Sequence, residues 1–153
     1  MQGLELKIPP PVQWLVAAIL AVMLARLFPQ WVLPFAGHRA LAVALALAGV
    51  ASSLAGVLAF RRAHTTIDPH RPGDARAVVR TGIYRFTRNP MYLGLLLTLL
   101  GVTAWLAHPL ALLCAAAFAA TLTRLQIKPE ERILKGLFGA SYEDYLRRVR
   151  RWL

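Results

Sequence analysis

The sequence predicts an all-α fold: an integral membrane bundle of about four transmembrane helices, followed by amphipathic helices on the cytoplasmic side. The chain of 153 residues is 58% hydrophobic with a mean hydropathy of +0.52, which is too apolar for a soluble protein of this size. Its 18 basic and 7 acidic residues are gathered into a few polar segments instead of covering a surface. The length fits a single domain over residues 1–153.

Four apolar stretches supply the predicted spans. They lie at about residues 12–28, 41–60, 91–106 and 110–125. The run from Met91 to Thr123 holds 33 residues without Asp, Glu, Lys or Arg. This is too long for one span at about 1.5 Å per residue, so His108–Pro109 is predicted to form a hairpin turn. Small residues four apart in the second span favour close helix packing. These pairs are Gly49/Ser53 and Ser52/Gly56.

The basic residues predict the orientation of the bundle. Residues 61–88 hold seven arginines and residues 124–151 hold eight Lys or Arg, whereas Arg39 is the clear basic residue of the two opposite loops. The positive-inside rule therefore places both termini and residues 61–88 in the cytoplasm, and we expect a bacterial inner membrane. The formal charge of +11 then reflects topology, and no nucleic-acid partner is expected.

The sequence predicts neither a disulfide nor a metal site. Cys114 is the one cysteine of the chain and lies in an apolar run. His64, Asp68 and His70 are close together in the sequence. Their spacing across Pro69 is irregular and no cysteine joins them, which does not fit a zinc site.

The stretch around Asn89 is the first candidate site. Asn89 is a favoured N-cap and Pro90 a favoured first helical residue, so a helix is predicted to begin here. Unpaired N–H groups and a partial positive charge at a helix N-terminus suit a carboxylate or phosphate, and Arg85 and Arg88 add positive charge. Aromatic rings flank the stretch: Tyr84, Phe86 and Tyr92. The alternative is a membrane-interface anchor of aromatic and basic residues.

The acidic pair Glu130 and Glu131 is the second candidate site. In one interpretation, a carboxylate accepts hydrogen bonds from a ribose or an ammonium, while the Asn89 helix start holds the anionic end of the same ligand. In the other, the pair caps the first turn of a helix, where the dipole favours acids. Its partner would then be Arg88 or Arg132.

The last segment of the chain is predicted to be amphipathic. Pro129 favours a helix start and Gly139 a helix end. Beyond Gly139, aromatic residues alternate with arginines. We expect this tail to lie along the membrane surface or to fold back over residues 61–90.

Two linked motifs resemble those of the isoprenylcysteine carboxyl methyltransferase family, which is related to the phospholipid methyltransferases. The first motif runs from Gly82 through Arg88–Asn89–Pro90 to Gly94, and the second from Glu130 to Val149. The resemblance covers about residues 76–151. It implies an integral membrane enzyme that binds S-adenosyl-L-methionine at the cytoplasmic face. Its acceptor would be a lipid-like or prenylated molecule with a carboxylate or an amine.

The resemblance also implies the site residues. The cofactor would contact Arg76, Ala77, Val78, Val79, Tyr84, Asn89, Pro90, Met91, Tyr92 and Glu130. The acceptor would lie near Arg124 and Gln126. No catalytic residue is assigned, although Arg88 and Glu131 are candidates. Asn89 stands where the family has His, and Gln126 stands where eukaryotic members have Arg, so the identity of the acceptor is left open.

Two other functions stay open from the sequence. Sterol reductases resemble the same C-terminal region, which would imply an NADPH-dependent enzyme, although those proteins generally have more than four spans. A non-enzymatic membrane scaffold would instead use its arginines to bind anionic lipid headgroups. The acceptor atom (O, N or S) and the oligomeric state also stay open.

Overall fold

The computed structural model of the chain describes residues 4–63 and 78–153. Two predicted cofactor contacts, Arg76 and Ala77, lie outside the described residues, as do His64, Asp68 and His70. The described ranges contain helices and loops but no strand, so the predicted all-α bundle is confirmed. The main helices are α1 (Pro10–Leu27), α2 (His38–Arg62), α3 (Pro90–Leu106), α4 (Pro109–Leu122) and α5 (Lys128–Arg148).

Each of the helices α2, α3 and α4 runs antiparallel to the helix before it, so the loops of the bundle lie at two opposite ends. At the end called here the Arg88 end, the N–H of Arg88 donates to the carbonyl of Arg150, 3.0 Å away. At the opposite end, called the His108 end, the Leu33 N–H donates to the Ala107 carbonyl at 2.8 Å. The predicted hairpin turn is found there, with Ala107 in the left-handed conformation before α4.

The four apolar stretches all form helices. Within residues 4–63 and 78–153, three helical segments are long and apolar enough to cross a membrane: Pro10–Leu27, His38–Arg62 and Pro109–Arg148. The apolar run of the third segment ends before Arg124, so its charged part, α5, continues beyond the span. α3 is an apolar helix of 17 residues, a length at the lower limit for a span.

Small residues bring α2 and α3 into backbone contact. A Cβ atom on Gly49 would lie 2.6 Å from the Gly94 carbonyl oxygen, and one on Gly94 would overlap Ser53. Across the same interface, Ser52 Oγ donates to the Pro90 carbonyl at 2.8 Å. The predicted role of the small pairs in helix packing is confirmed. This packing also fixes the start of α3 against α2.

A π-helical turn, Thr123–Ile127, joins α4 to α5 without a break. α5 begins at Lys128 with Pro129, Glu130 and Glu131 in its first turn, as predicted, although no break separates it from α4. Proline has no N–H to donate to the carbonyl four residues before it, which belongs here to Leu125. That carbonyl instead accepts a hydrogen bond from the Leu6 N–H at 2.9 Å. The predicted break at Gly139 is present as a kink, with φ of 51°.

Candidate functional site

The end of the chain folds back onto the start of α3, which is one of the two arrangements predicted for the tail. Asn89 Nδ2 donates to the Arg151 carbonyl at 3.0 Å, next to the bond between Arg88 and Arg150. The helix begins at Pro90 as predicted, but Asn89 makes no side-chain capping bond. That part of the prediction is wrong because the amide is turned toward the tail.

Two arginines surround Glu131. Arg151 donates from Nε and Nη2 to the two carboxylate oxygens of Glu131, at 2.9 and 2.7 Å. Arg88 Nη2 lies 3.2 Å from Oε1 of the same carboxylate, and the side chains of Arg88 and Glu131 are only 10% and 14% exposed. Two guanidinium groups around one carboxylate leave a net positive charge. Arg132, the other predicted partner of the acidic pair, contacts Glu5 instead.

One donor of Arg88 is left open. Its Nε is buried and has no hydrogen-bond partner among residues 4–63 and 78–153. A buried donor without a partner costs about 1–3 kcal/mol, so an acceptor placed against this atom would stabilise the folded protein. Arg88 also lies beside the N-terminus of α3, where the helix dipole favours negative charge. The Arg88 end therefore suits an anion.

Glu130, next to Glu131 in the chain, receives hydrogen bonds from neutral donors. Tyr92 Oη donates at 2.5 Å and Gln126 Nε2 at 2.9 Å, both to Oε1. Within the described part of the chain, Oε2 accepts no hydrogen bond. Burial raises the pKa of the Glu130 carboxyl to about 7, although the two hydrogen bonds oppose this rise. An oxygen left open on a carboxylate suits a hydroxyl or ammonium group.

Aromatic rings pack beside this acidic group. Tyr145 Oη donates to the Tyr84 carbonyl at 2.8 Å, and the Tyr84 ring meets Phe60 edge to face with centroids 5.4 Å apart. Burial raises the pKa of the Tyr84 phenol, and the nearby Tyr145 and Glu130 raise it further. Tyr84 is therefore a neutral group at physiological pH.

The structure brings together only part of the predicted set. Two groups share contacts: Tyr92, Gln126 and Glu130 in one, and Arg88, Asn89 and Glu131 in the other. Met91 faces α2, since its Cγ would lie 2.8 Å from a Cβ added to Gly56. Arg124 is exposed, and its side chain makes no hydrogen bond or ion pair with the described residues. Val79 is buried and Val78 half-buried in the loop before Tyr84.

Sequence reasoning missed two residues of the tail. Arg151 holds Glu131, and Trp152 packs against the buried apolar cluster that includes Tyr92. Arg151 is one of four arginines in the last seven residues, and nothing in their spacing distinguishes it from the others. The interleaved aromatic residues were the available signal that one face of this tail is buried.

The chain matches known proteins over most of its length. A family model described as phospholipid methyltransferase matches residues 38–141. A protein of Haemophilus influenzae described as uncharacterized is 46% identical over 63 residues, which cover 41% of this chain and 100% of that relative. No solved structure gives a significant match.

Plant relatives match more of the chain. A protein of Oryza sativa subsp. indica described as a probable protein-S-isoprenylcysteine O-methyltransferase is 32% identical over 132 residues, or 82% of this chain and 65% of the relative. Protein-S-isoprenylcysteine O-methyltransferase B of Arabidopsis thaliana is 33% identical over 91 residues, or 58% of this chain. The aligned part of this chain spans 65% of the rice relative and 45% of the Arabidopsis relative.

Proposed function

Since the chain belongs to the phospholipid methyltransferase family, we propose that it is an integral membrane methyltransferase that uses S-adenosyl-L-methionine. The acceptor is a lipid-like or prenylated molecule with a carboxylate or an amine. The cofactor binds at the Arg88 end, which faces the cytoplasm. The apolar helices support the membrane assignment, and the O-methyltransferase names of the plant relatives support the reaction class.

The open groups on Arg88 and Glu130 carry this proposal. Arg88 is engaged with Glu131 through Nη2, which leaves its buried Nε as a donor. Glu130 is engaged with Tyr92 and Gln126 through Oε1, which leaves Oε2 as an acceptor. S-adenosylmethionine carries a carboxylate, an ammonium group and ribose hydroxyls, so one molecule offers a partner to both open groups.

Each residue of the site has a proposed part in binding. Arg88 Nε and the first turn of α3 bind the carboxylate of the cofactor. Glu130 Oε2 accepts a hydrogen bond from the ribose, and Glu131 positions Arg88. The remaining contacts are those implied by the resemblance: Arg76, Ala77, Val78, Val79, Tyr84, Asn89, Pro90, Met91 and Tyr92.

The chain needs no nucleophilic side chain for this chemistry. S-adenosylmethionine supplies an electrophilic methyl group that carries its own leaving group. The task of the protein is to align the acceptor and to keep water out. An acceptor carboxylate is already ionised at neutral pH, whereas an amine must first lose a proton. We propose that the acceptor approaches from the bilayer near Arg124 and Gln126.

Calorimetric titration of the detergent-purified protein tests the proposal. S-adenosylhomocysteine should bind, and Glu130→Gln should weaken its binding by about 1.5–3 kcal/mol because a charge-assisted hydrogen bond is lost. Glu143→Gln, the same change at a partly exposed position of α5, is the matched control and should leave the affinity unchanged. Binding of NADPH but not S-adenosylhomocysteine would overturn the methyltransferase proposal. Binding of neither, with retention of anionic vesicles, would favour a scaffold.

The cytoplasmic assignment has its own test. Single cysteines are introduced into a Cys114→Ala background and labelled in intact cells with a membrane-impermeant reagent. Labelling should reach residues 30–38 and 107–109, at the His108 end. Labelling at position 70 would contradict the proposed orientation.

A further inference from the structure

A groove lies between α1 and α4 on the outside of the bundle. It has a volume of about 410 Å³ and is lined mainly by apolar side chains. Several of these are exposed: Val12, Val16, Leu20, Leu113 and Ala117. The amide and the hydroxyl in its wall donate within the chain, from Gln13 Nε2 to the Ile8 carbonyl and from Thr121 to the Phe118 carbonyl, each at 3.0 Å. Such a wall suits hydrocarbon.

The N-terminal segment, residues 4–8, bounds this groove at the Arg88 end. Ile8 and Leu125 form the wall there. The Leu6 N–H donates to the Leu125 carbonyl at 2.9 Å, and Glu5 forms an ion pair with Arg132 on α5. These two contacts hold the segment against the junction of α4 and α5, beside the end of the groove.

Three basic residues flank the same end of the groove. Lys7 is the chain neighbour of Ile8, Arg124 is the chain neighbour of Leu125, and Lys128 follows Arg124 by about one helical turn. All three are exposed, and their side chains make no hydrogen bond or ion pair within residues 4–63 and 78–153. The apolar groove therefore ends in unneutralised positive charge.

The acids in the described part of the chain are engaged elsewhere. Glu130 accepts hydrogen bonds from neutral donors. The other four are paired with basic residues: Glu5 with Arg132, Glu131 with Arg88 and Arg151, Glu143 with Lys135, and Asp144 with Arg148. The apolar run of α4 ends just before Arg124, which places the three cations at headgroup depth. The anion that a membrane offers at this depth is a lipid phosphate.

We propose that this groove binds an anionic phospholipid, with one acyl chain between α1 and α4 and the phosphate beside Lys7, Arg124 and Lys128. Gln126 is 0% exposed and donates to Glu130 inside the bundle, whereas Arg124 is exposed on the outside. The lipid therefore lies at the outer edge of the path proposed for the acceptor. Its binding needs no cofactor and does not depend on methyl transfer.

Native mass spectrometry of the detergent-purified full chain tests this site, because it resolves single bound lipids. The chain is titrated with dioleoyl phosphatidylglycerol and with dioleoyl phosphatidylcholine, which have the same acyl chains. Phosphatidylglycerol should bind roughly 10- to 100-fold more tightly, since each cation beside an anionic headgroup contributes roughly 5-fold. Soluble glycerol phosphate, which carries the charge without the hydrocarbon, should not compete.

Two triple variants locate the charge that is responsible. Replacing the three flanking cations with Gln should make the two lipids bind equally; these changes are Lys7→Gln, Arg124→Gln and Lys128→Gln. The matched control removes three exposed cations of the same end that do not flank the groove, and it should keep the preference for phosphatidylglycerol. Its changes are Arg61→Gln, Arg62→Gln and Arg150→Gln.

A further variant tests the hydrocarbon part of the site. Ala117→Leu fills part of the groove without changing the charge, so it should weaken the binding of both lipids.

Three results would overturn the proposal. Equal affinity of the wild-type protein for the two lipids would show that the cations do not select an anionic headgroup. The same loss of preference in both triple variants would mean that the whole basic end attracts anionic lipid without a site at the groove. Competition by glycerol phosphate, or unchanged lipid binding in Ala117→Leu, would mean that the groove does not hold the acyl chain.

Discussion

Replacing Glu130 with Gln should make the ligand-free protein more stable at alkaline pH while weakening cofactor binding. The substitution keeps the size of the side chain and its Oε1 acceptor, so the hydrogen bonds from Tyr92 and Gln126 can persist. It removes the group that ionises. Because burial raises the pKa of Glu130, the folded protein holds this proton more tightly than the unfolded chain does.

The magnitude follows from the two pKa values. The ordinary value of 4.5 applies to the unfolded chain, and the folded value is about 7. The contribution of the protonated carboxyl to stability is complete below pH 4.5 and is lost as the pH rises to about 7. The full loss is about 3 kcal/mol, since one pKa unit corresponds to about 1.4 kcal/mol. Glu130→Gln should match the wild type near pH 4.5 and exceed its stability by up to that amount at pH 8.

Thermal unfolding in detergent between pH 4.5 and 8 measures this difference. The Tm of Glu130→Gln should rise above that of the wild type as the pH increases. Glu143→Gln is the control, because Lys135 lowers the pKa of Glu143 and any pH effect there has the opposite sign. Parallel profiles for the wild type and Glu130→Gln would refute the reasoning. In the same preparations, affinity for S-adenosylhomocysteine should rise with pH up to about 7 in the wild type only, because the ionised carboxylate is the better acceptor.

Substitutions at three further positions test the contacts around the site. Arg151→Ala should lower the free energy of unfolding by about 1–3 kcal/mol by removing two charge-assisted hydrogen bonds. Arg150→Ala should change Tm little, because the contact of Arg150 with Arg88 is made by its backbone carbonyl. Gly94→Ala should cost about 3 kcal/mol or more because the added Cβ forces α2 from α3. Gly136→Ala is the control and should be neutral or stabilising, because the Cβ atom that it adds would have no other atom within 4 Å. Asn89→Ala should cost about 0.5–1.5 kcal/mol in thermal unfolding, and Asn89→His less, because imidazole can still donate to the tail.

The helices were predictable because their signals are local. Apolar runs of the right length and a proline at the first position determine where α1, α3 and α4 lie, and small residues four apart determine how α2 meets α3. The capping role of Asn89 was not predictable, since its amide is taken by the Arg151 carbonyl, 62 residues away in sequence. The continuation of α4 into α5 was not predictable either, since the Leu125 carbonyl that Pro129 leaves unpaired accepts a hydrogen bond from the distant Leu6 N–H.

The residue types of the site were predictable, but their partners were not. The acidic pair and the arginine before Asn89 stand out in the sequence because charges are rare near apolar runs. Which arginine meets which carboxylate depends on the fold-back of the tail. From composition alone, Arg88 and Arg132 were equally good candidate partners of the acidic pair, although of these two only Arg88 contacts it.

The separate roles of Glu130 and Glu131 follow from helix geometry. Successive residues of an α-helix point about 100° apart, since 3.6 residues make one turn. Glu131 therefore faces the arginines of the tail, while Glu130 faces Tyr92 on α3. A carboxylate shared by two guanidinium groups is held in place and has little capacity for another ligand. A carboxylate held on one oxygen by neutral donors keeps its second oxygen for a ligand and stays easy to protonate. Cofactor binding by this pair should thus depend on Glu131 through the position of Arg88, and on Glu130 through direct contact.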